Sequence, residues 1–293
     1  MPELPEVETI KRLLKKNIIG KKIAKVKILS QKQFPDKPQL IVSSQIVGLE
    51  RQGKQLIINF NNHYSLLIHL KLTGQLVFGQ KLDQEEKAYF DQPIPFNQGN
   101  VLPGKTTRVI IYLMGKNNQP DGAIFFNDLR KFGWLRIIPT ANLKEQNLKK
   151  LGVEPLSKSF TPLLLAKIFG KTKKPIKLVL MDQEKIAGVG NIYANEALFE
   201  ARILPTRSAN SLTSQEIKKL HQAINLVLKK AIKAGGSSAS DEAFIKPDGT
   251  PGGYQKITKV YQKEGKPCPR CGSLIKRINL QGRGTFFCPK CQV

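Results

Sequence analysis

Residues 1–10 read MPELPEVETI, and the apolar spacing that begins there runs on through Val7, Ile10, Leu13 and Leu14. Side chains recurring at three and four residues mark the buried face of a helix from Glu3 to about Lys16. Pro2 and Pro5 fit only a first turn, where fixed φ helps and the missing N–H is not needed, and Gly20 follows the end. Glu3, Glu6 and Glu8 crowd the first eight residues although the chain carries a formal net charge of +26. The helix dipole favours acids at that end, so structure alone accounts for them. Chemistry offers a second reason. Loss of Met1 would leave Pro2 with a free secondary amine, and an α-amino group of pKa near ~8 is far more often neutral at pH 7 than a lysine. A neutral amine attacks sugar carbons and can form a Schiff base, with Glu3 beside it to handle the proton.

Downstream of the helix come short β-rich runs: KIAKVKIL, QIVGLE, KQLIINF, YSLLIHLKL, RVIIYLM, AIFFND and WLRII. With turns between them they predict a sandwich or barrel. Residues 79–106 read as a long surface loop inserted between strands. After about residue 141 the pattern turns helical, with short helices in FTPLLLAKIFG and IKLVLMDQ and another opening at NIYANEALFEA. Thr213 and Glu216 match a capping box, and Ile217, Leu220, Ile224 and Leu228 form the buried stripe of a helix ending at Gly235–Gly236. Residues 235–257 are polar and glycine-rich, as in a mobile loop or linker. The tail from Lys266 reads as a small separate module.

Lys plus Arg number 48 against 22 Asp plus Glu, and the excess is spread along 293 residues. That pattern predicts a folded protein with a basic face, for which nucleic acid is the favoured partner and ribosomes or membranes the alternative. No apolar run approaches the ~18 residues of a spanning helix, and the start lacks the basic-then-apolar order of a signal peptide. A soluble, cytoplasmic protein without a membrane partner is expected.

The four cysteines stand as Cys268-Pro-Arg-Cys271 and Cys288-Pro-Lys-Cys291, sixteen residues apart. Two such knuckles fit one tetrahedral Cys₄ zinc joined by a β-hairpin, in a module too small to fold without its metal. Redox or free thiols are the alternative. Between the knuckles, Gly282 and Gly284 fit a tight turn that lifts Arg283 to the hairpin tip. There it is either a plain exposed residue or a phosphate grip. In AGVGNIYANEALF, Asn191 is either an N-cap or part of a phosphate-binding helix start supported by Lys173, Lys174 and Lys177. NDLRKFGWL puts Arg130 and Phe132 on one turn, an ordinary basic turn or a wedge for a DNA helix. Lys54 sits at a turn in RQGKQLI and is silent by itself. His69 in LIHLKLTG reads as a sheet histidine without a catalytic role.

Taken in order, MPELPEVET, the Gly53–Lys54 pair, RKFG at 130–133, GVGNIY at 188–193 and GRGTFFC with the Cys₄ tail closely resemble the formamidopyrimidine-DNA glycosylase family. The resemblance runs from Pro2 to Cys291. It implies an α+β protein with an N-terminal helix and β-sandwich domain at 2–140. A helical helix–two-turn–helix DNA-binding domain with a lesion-capping loop would occupy 141–257, and a Cys₄ zinc finger 258–293. DNA would lie in the cleft between the two lobes. The implied activity is a bifunctional DNA glycosylase and AP lyase of base excision repair, acting on damaged double-stranded DNA as a monomer. Oxidised purines, 8-oxoguanine and formamidopyrimidines, would be removed through a Pro2 Schiff base, followed by beta- and delta-elimination. By the same resemblance Pro2, Glu3, Lys54 and Arg283 are catalytic and Glu6 supports the nucleophile. His69, Leu72, Arg130, Phe132, Lys173, Lys177 and Asn191 contact DNA, and Cys268, Cys271, Cys288 and Cys291 hold one structural Zn²⁺.

Three departures stand out. Leu72 occupies a place where the family often has methionine, Lys105–Thr106 replaces a Lys-His pair, and the loop SSASDEAFIKPDGTPGGYQ lacks a common arginine. Two further readings stay open: the same chemistry on oxidised pyrimidines, and a catalytically silent zinc-containing DNA-binding protein.

Overall fold

The computed structural model describes residues 1–115, 117–146, 151–238 and 244–293. The chain forms two compact units, one made of residues 1–149 and 234–255, the other of 150–233 and 256–293. No helix among the described residues is long and apolar enough to cross a membrane.

The first unit opens with α1 (Leu4–Ile18), followed by β1 (Lys22–Ile28), β2 (Ile46–Gln52), β3 (Gln55–Phe60), β4 (Tyr64–His69) and β5 (Gly74–Gly79). A short ribbon, β6 (Ala88–Tyr89) and β7 (Val101–Leu102), leads to β8 (Thr107–Met114), β9 (Pro120–Asp128), β10 (Trp134–Pro139) and the single turn α2 (Leu143–Gln146). Two antiparallel four-stranded sheets result, in the orders β1-β8-β9-β5 and β10-β4-β3-β2. Val7, Ile10, Leu14 and Ile18 of α1 join Ile58, Leu66, Ile68, Ile111 and Phe126 in one core cluster.

The two-residue side-chain period decides what each sheet face meets. Val109, Ile111 and Leu113 of β8 enter the main core, whereas Ile110 and Tyr112 point to the outer face. That outer face is also buried, under Ala88, Ile94 and Leu102 of the 79–106 segment and under Ile245. The segment expected as a surface loop is therefore the cover of a sheet. Its signal lay elsewhere, in the continuous apolar runs RVIIYLM and AIFF, which only strands buried on both faces require. Strand β5, flanked by glycines, was not expected at all.

Residues 235–257 also depart from the reading as a mobile linker. Phe244 and Ile245 are buried in two of this unit's core clusters, and the Phe78 N–H donates to Pro247 O at 2.7 Å. Part of the expected capping loop, residues 239–243, lies outside the described residues.

The second unit contains α3 (Pro162–Phe169), α4 (Ile176–Met181), α5 (Asn191–Ala201), α6 (Ser214–Lys233) and the hairpin β11 (Lys276–Leu280) with β12 (Arg283–Phe287). The Glu216 carboxylate accepts the Thr213 N–H at 2.8 Å while the Thr213 hydroxyl accepts the Glu216 N–H at 3.3 Å. This reciprocal cap starts α6, whose Ile217, Leu220, Ile224 and Leu228 are buried. The hairpin shares this unit with the helices instead of standing apart.

Candidate functional site

In the first unit Pro2 is buried and Glu3 occupies the N-cap of α1, 1% exposed. Glu6, one turn on, is fully buried. Its Oε2 accepts the Glu3 N–H at 2.8 Å and its Oε1 accepts the Ser237 N–H at 2.8 Å. Both oxygens thus hold backbone, and they fix where the helix start sits. Glu8, on the same helix, bonds Arg51 Nε at 3.0 Å, and Arg51 Nη1 donates to Gly53 O at 2.9 Å. Burial opposes the Glu8 charge, but Lys11, Arg12 and Arg51 outweigh it and hold its pKa below the ordinary value. The result ties α1 to the β2–β3 turn of Gly53 and Lys54, whose lysine is buried.

His69 ends β4 opposite Gln55 and Trp134. Its Nδ1 accepts the Lys71 N–H at 3.0 Å, which leaves the ring proton on Nε2 in the neutral tautomer. Burial, then the charges of Lys71 and Lys54, lower its pKa to about 3. Leu72 follows on the half-buried turn into β5. Arg130 and Phe132 sit on the β9–β10 turn, with the guanidinium 5.0 Å from the centre of the ring and the ring half-exposed. Beneath these two turns lies Asp128, fully buried. Neither Asp128 nor Arg51 stands in any motif of the sequence. An acid closing the apolar strand AIFFND was the available signal.

In the second unit Gly190, not Asn191, takes the cap position of α5. Asn191 is the first helical residue and half-buried. The Asn195 amide donates to its backbone oxygen at 2.6 Å. Gln183 orders the preceding loop, accepting the Gly188 N–H at 2.9 Å and donating to Val189 O at 2.7 Å. Lys173 is exposed on the surface. Lys177 is not: it is fully buried, and its Nζ donates to Gly284 O at 2.9 Å and Thr285 Oγ1 at 2.7 Å. A side chain committed in this way cannot reach out to a phosphate, and this corrects the expectation of a DNA contact. The tight turn is made by Gln281 and Gly282, both at positive φ, while Gly284 lies within β12 and offers Lys177 its carbonyl. Arg283 follows the turn and is exposed.

Further struts fasten the hairpin. Asn195 accepts the Phe286 N–H at 2.8 Å, and the Glu196 carboxylate accepts the N–H groups of Lys259, Val260 and Tyr261, each at 2.9 Å. Burial pushes the Glu196 pKa up, and those three donors counter it.

The four cysteine sulfurs all lie within 4.8 Å of one another. The pairs Cys268–Cys291 and Cys271–Cys288 stand at 3.9 and 3.5 Å. A tetrahedron with Zn–S bonds near ~2.3 Å has edges of about 3.8 Å, close to these two pairs, so the cluster is compatible with one zinc. Backbone N–H groups of Arg270 and Cys291 point at the Cys268 and Cys288 sulfurs, both at 3.4 Å, the outer support that thiolate ligands require. Hydrogen bonds from Ser273 lower the Cys271 thiol to about 6, whereas burial and then the neighbouring sulfurs raise Cys291 to about 12. Four thiolates cannot share this space without a cation to neutralise them.

A strongly basic protein with a structural zinc hairpin and a buried acidic helix start belongs to the class of zinc-containing nucleic-acid-binding proteins. The profile of the formamidopyrimidine-DNA glycosylase N-terminal domain matches residues 1–135, that of the family's H2TH domain 151–243, and a zinc finger found in FPG and IleRS 265–293. The formamidopyrimidine-DNA glycosylase of Pelotomaculum thermopropionicum is 39% identical over 299 residues, spanning 100% of this chain and 99% of that protein. The crystal structure of the MutM (Fpg) protein from Thermus thermophilus superposes with a TM-score of 0.83 at 36% identity, covering 99% of this chain and 98% of the other. The Lactococcus lactis Fpg bound to abasic-site DNA gives 0.84 at 33% identity, with 99% of each chain covered. The chain belongs to the formamidopyrimidine-DNA glycosylase family.

Proposed function

We propose that the chain is a bifunctional DNA glycosylase and AP lyase of base excision repair that removes oxidised purines from double-stranded DNA. Membership of the family supplies the glycosylase class, and lyase chemistry is typical of that family. One observation supports the catalytic assignment most. Glu3 is buried at the N-cap of α1, directly after Pro2, with its backbone held by the fully buried Glu6.

Once Met1 is removed, the Pro2 nitrogen adds to C1′ and the N-glycosidic bond breaks. Glu3 manages the proton that the departing base takes up. The C1′–O4′ bond then opens, with O4′ taking a proton, and the resulting iminium ion acidifies C2′, so the 3′ and then the 5′ phosphate leave by beta- and delta-elimination. The base must first leave the stack, because C1′ is otherwise shielded. Leu72, Arg130 and Phe132 fill the gap, while Lys54, Asn191 and Arg283 hold phosphates, with Lys173 adding to the field. His69, held neutral by its burial, joins the DNA contacts. Zinc supplies no reaction step; when bound it organises the four thiolates, and the chain's own struts present Arg283. The enzyme acts as a cytoplasmic monomer. These roles divide among three domains, 2–140, 141–257 and 258–293.

A second lesion spectrum has a specific support. The wild-type Lactococcus lactis relative has been solved with DNA carrying an oxidised pyrimidine as well as with N7-benzyl-Fapy-dG DNA. A cleavage panel of duplexes, each with one defined lesion and run with borohydride, tests both. The expected result is a covalent protein–DNA product mapped to Pro2, strongest on oxidised purines. A cross-link mapped to Lys54, or none on any lesion, would overturn the mechanism.

A further inference from the structure

We propose that Asp128 is a positioning residue that locks the turn carrying Leu72 and the turn carrying Arg130 and Phe132 into a single rigid wedge. The inference rests on the reading above that these side chains enter DNA.

The two turns share a local plan. Each has a lysine in the left-handed region, Lys71 at φ 53° and Lys131 at φ 56°, followed at once by the apolar side chain, Leu72 or Phe132. Asp128 joins them from below. Its Oδ1 accepts the Thr73 hydroxyl at 2.5 Å, and its Oδ2 accepts the Gly133 N–H at 2.7 Å and Gln33 Nε2 at 3.1 Å. The Thr73 Oγ1 in turn accepts the Arg130 N–H at 3.0 Å, so one hydroxyl is shared between the two turns. Gln33 also donates to Gly133 O at 3.0 Å. Asp128 itself is pinned through its backbone, its N–H to Thr106 O at 2.9 Å and its carbonyl to Arg108 Nε at 3.0 Å.

Every group aimed at the side chain is a donor, and only a carboxylate accepts from all of them. An asparagine would turn an N–H₂ toward at least one. Packing admits little slack, since a Cβ on Gly133 would lie 2.8 Å from Phe126 and 3.1 Å from Asp128 Oδ2. Two loops inserted separately into a duplex would each be ordered during the encounter. Loops tied to one buried anchor are ordered beforehand. The tie therefore matters most where a base must be pushed out, and least at an abasic site, which has no base to evert.

The test uses the full-length zinc-loaded enzyme, with thermal unfolding recorded for each variant. Thr73→Val removes the shared hydroxyl while keeping the shape. It should slow single-turnover base excision about tenfold but slow cutting of a preformed abasic site less than about threefold. Thr73→Ser should restore excision to within about twofold. A double-mutant cycle of Leu72→Ala and Phe132→Ala should be strongly non-additive in the parent and additive beside Thr73→Val. Equal slowing of both substrates, or additivity in the parent, would overturn the inference. A parent enzyme that cuts neither duplex would instead sink the functional reading on which it rests.

Discussion

Glu6 and Lys177 are both fully buried charged side chains, one in each unit, and both hold backbone next to a residue assigned to the chemistry. Their surroundings differ. Glu6 sits on a helix whose Val7, Ile10, Leu14 and Ile18 belong to a large sandwich core. Lys177 reaches a hairpin whose strands are mostly exposed on β11 and whose far end is closed by four sulfurs. Where apolar burial is ample, a buried carboxylate refines a position that packing already sets. Where it is scarce, polar struts and a metal set the position themselves.

The largest effect that would break this contrast is chemical. Glu3→Gln should lower base release by ~10²–10⁴-fold, because that is the usual contribution of positioned proton transfer. Unfolding of the first unit should hardly change, since its core is untouched. A rate near that of the parent would remove Glu3 from the mechanism.

Metal removal comes next. Chelation should unfold the hairpin and weaken DNA binding at least about tenfold through lost phosphate contacts. The single tryptophan, Trp134, lies on β10 in the first unit, so its emission should stay constant throughout. A parallel loss of tryptophan signal would show that the sandwich also depends on zinc.

Salt dependence then sharpens the Lys177 assignment. Arg283→Ala should reduce the slope of log K against log salt by about 0.9, the value for one phosphate. If Lys177 acts through the hairpin, Lys177→Met combined with Arg283→Ala should lower the slope no further. An extra drop of about 0.9 would put Lys177 on the DNA after all.

The smallest effect concerns His69. Its folded pKa of about 3 lies below the ordinary 6.5, so the unfolded chain binds the proton first. The stability this residue contributes is present above about pH 6.5 and declines as pH falls toward 3. By NMR its ring should not titrate between about pH 8 and 5. An inflection near the ordinary 6.5 would mean that the ring is exposed to water.

Much of this molecule could be read from local spacing. The helix at Val7–Leu14, the cap at Thr213–Glu216, the two cysteine knuckles and most of the strands announce themselves within a few residues. What stayed hidden depends on partners far along the chain. Nothing near Lys177 says that its ammonium ends on Thr285, 108 residues away. Asp128 looked like the polar end of a strand until Thr73 and Gln33 closed around it. The cover over β8 and β9 was disguised by its own irregularity, because a lid needs a few well-placed apolar side chains and no period. Of the assigned site residues, those marked by resemblance carried motifs, Glu6 among them, whereas the distant partners Thr73, Gln33 and Thr285 carried none.

The bond between Glu6 and Ser237 spans 231 residues. On a ribosome adding ~5–20 residues per second, the second partner appears roughly 10–50 s after the first. Phe244 and Ile245, each part of a core cluster of the first unit, emerge later still. A nascent or prematurely stopped chain therefore exposes its N-terminal proline and acids without the segment that sets their geometry. Such a fragment would carry the proline and acids of the proposed site without the Ser237 bond to Glu6.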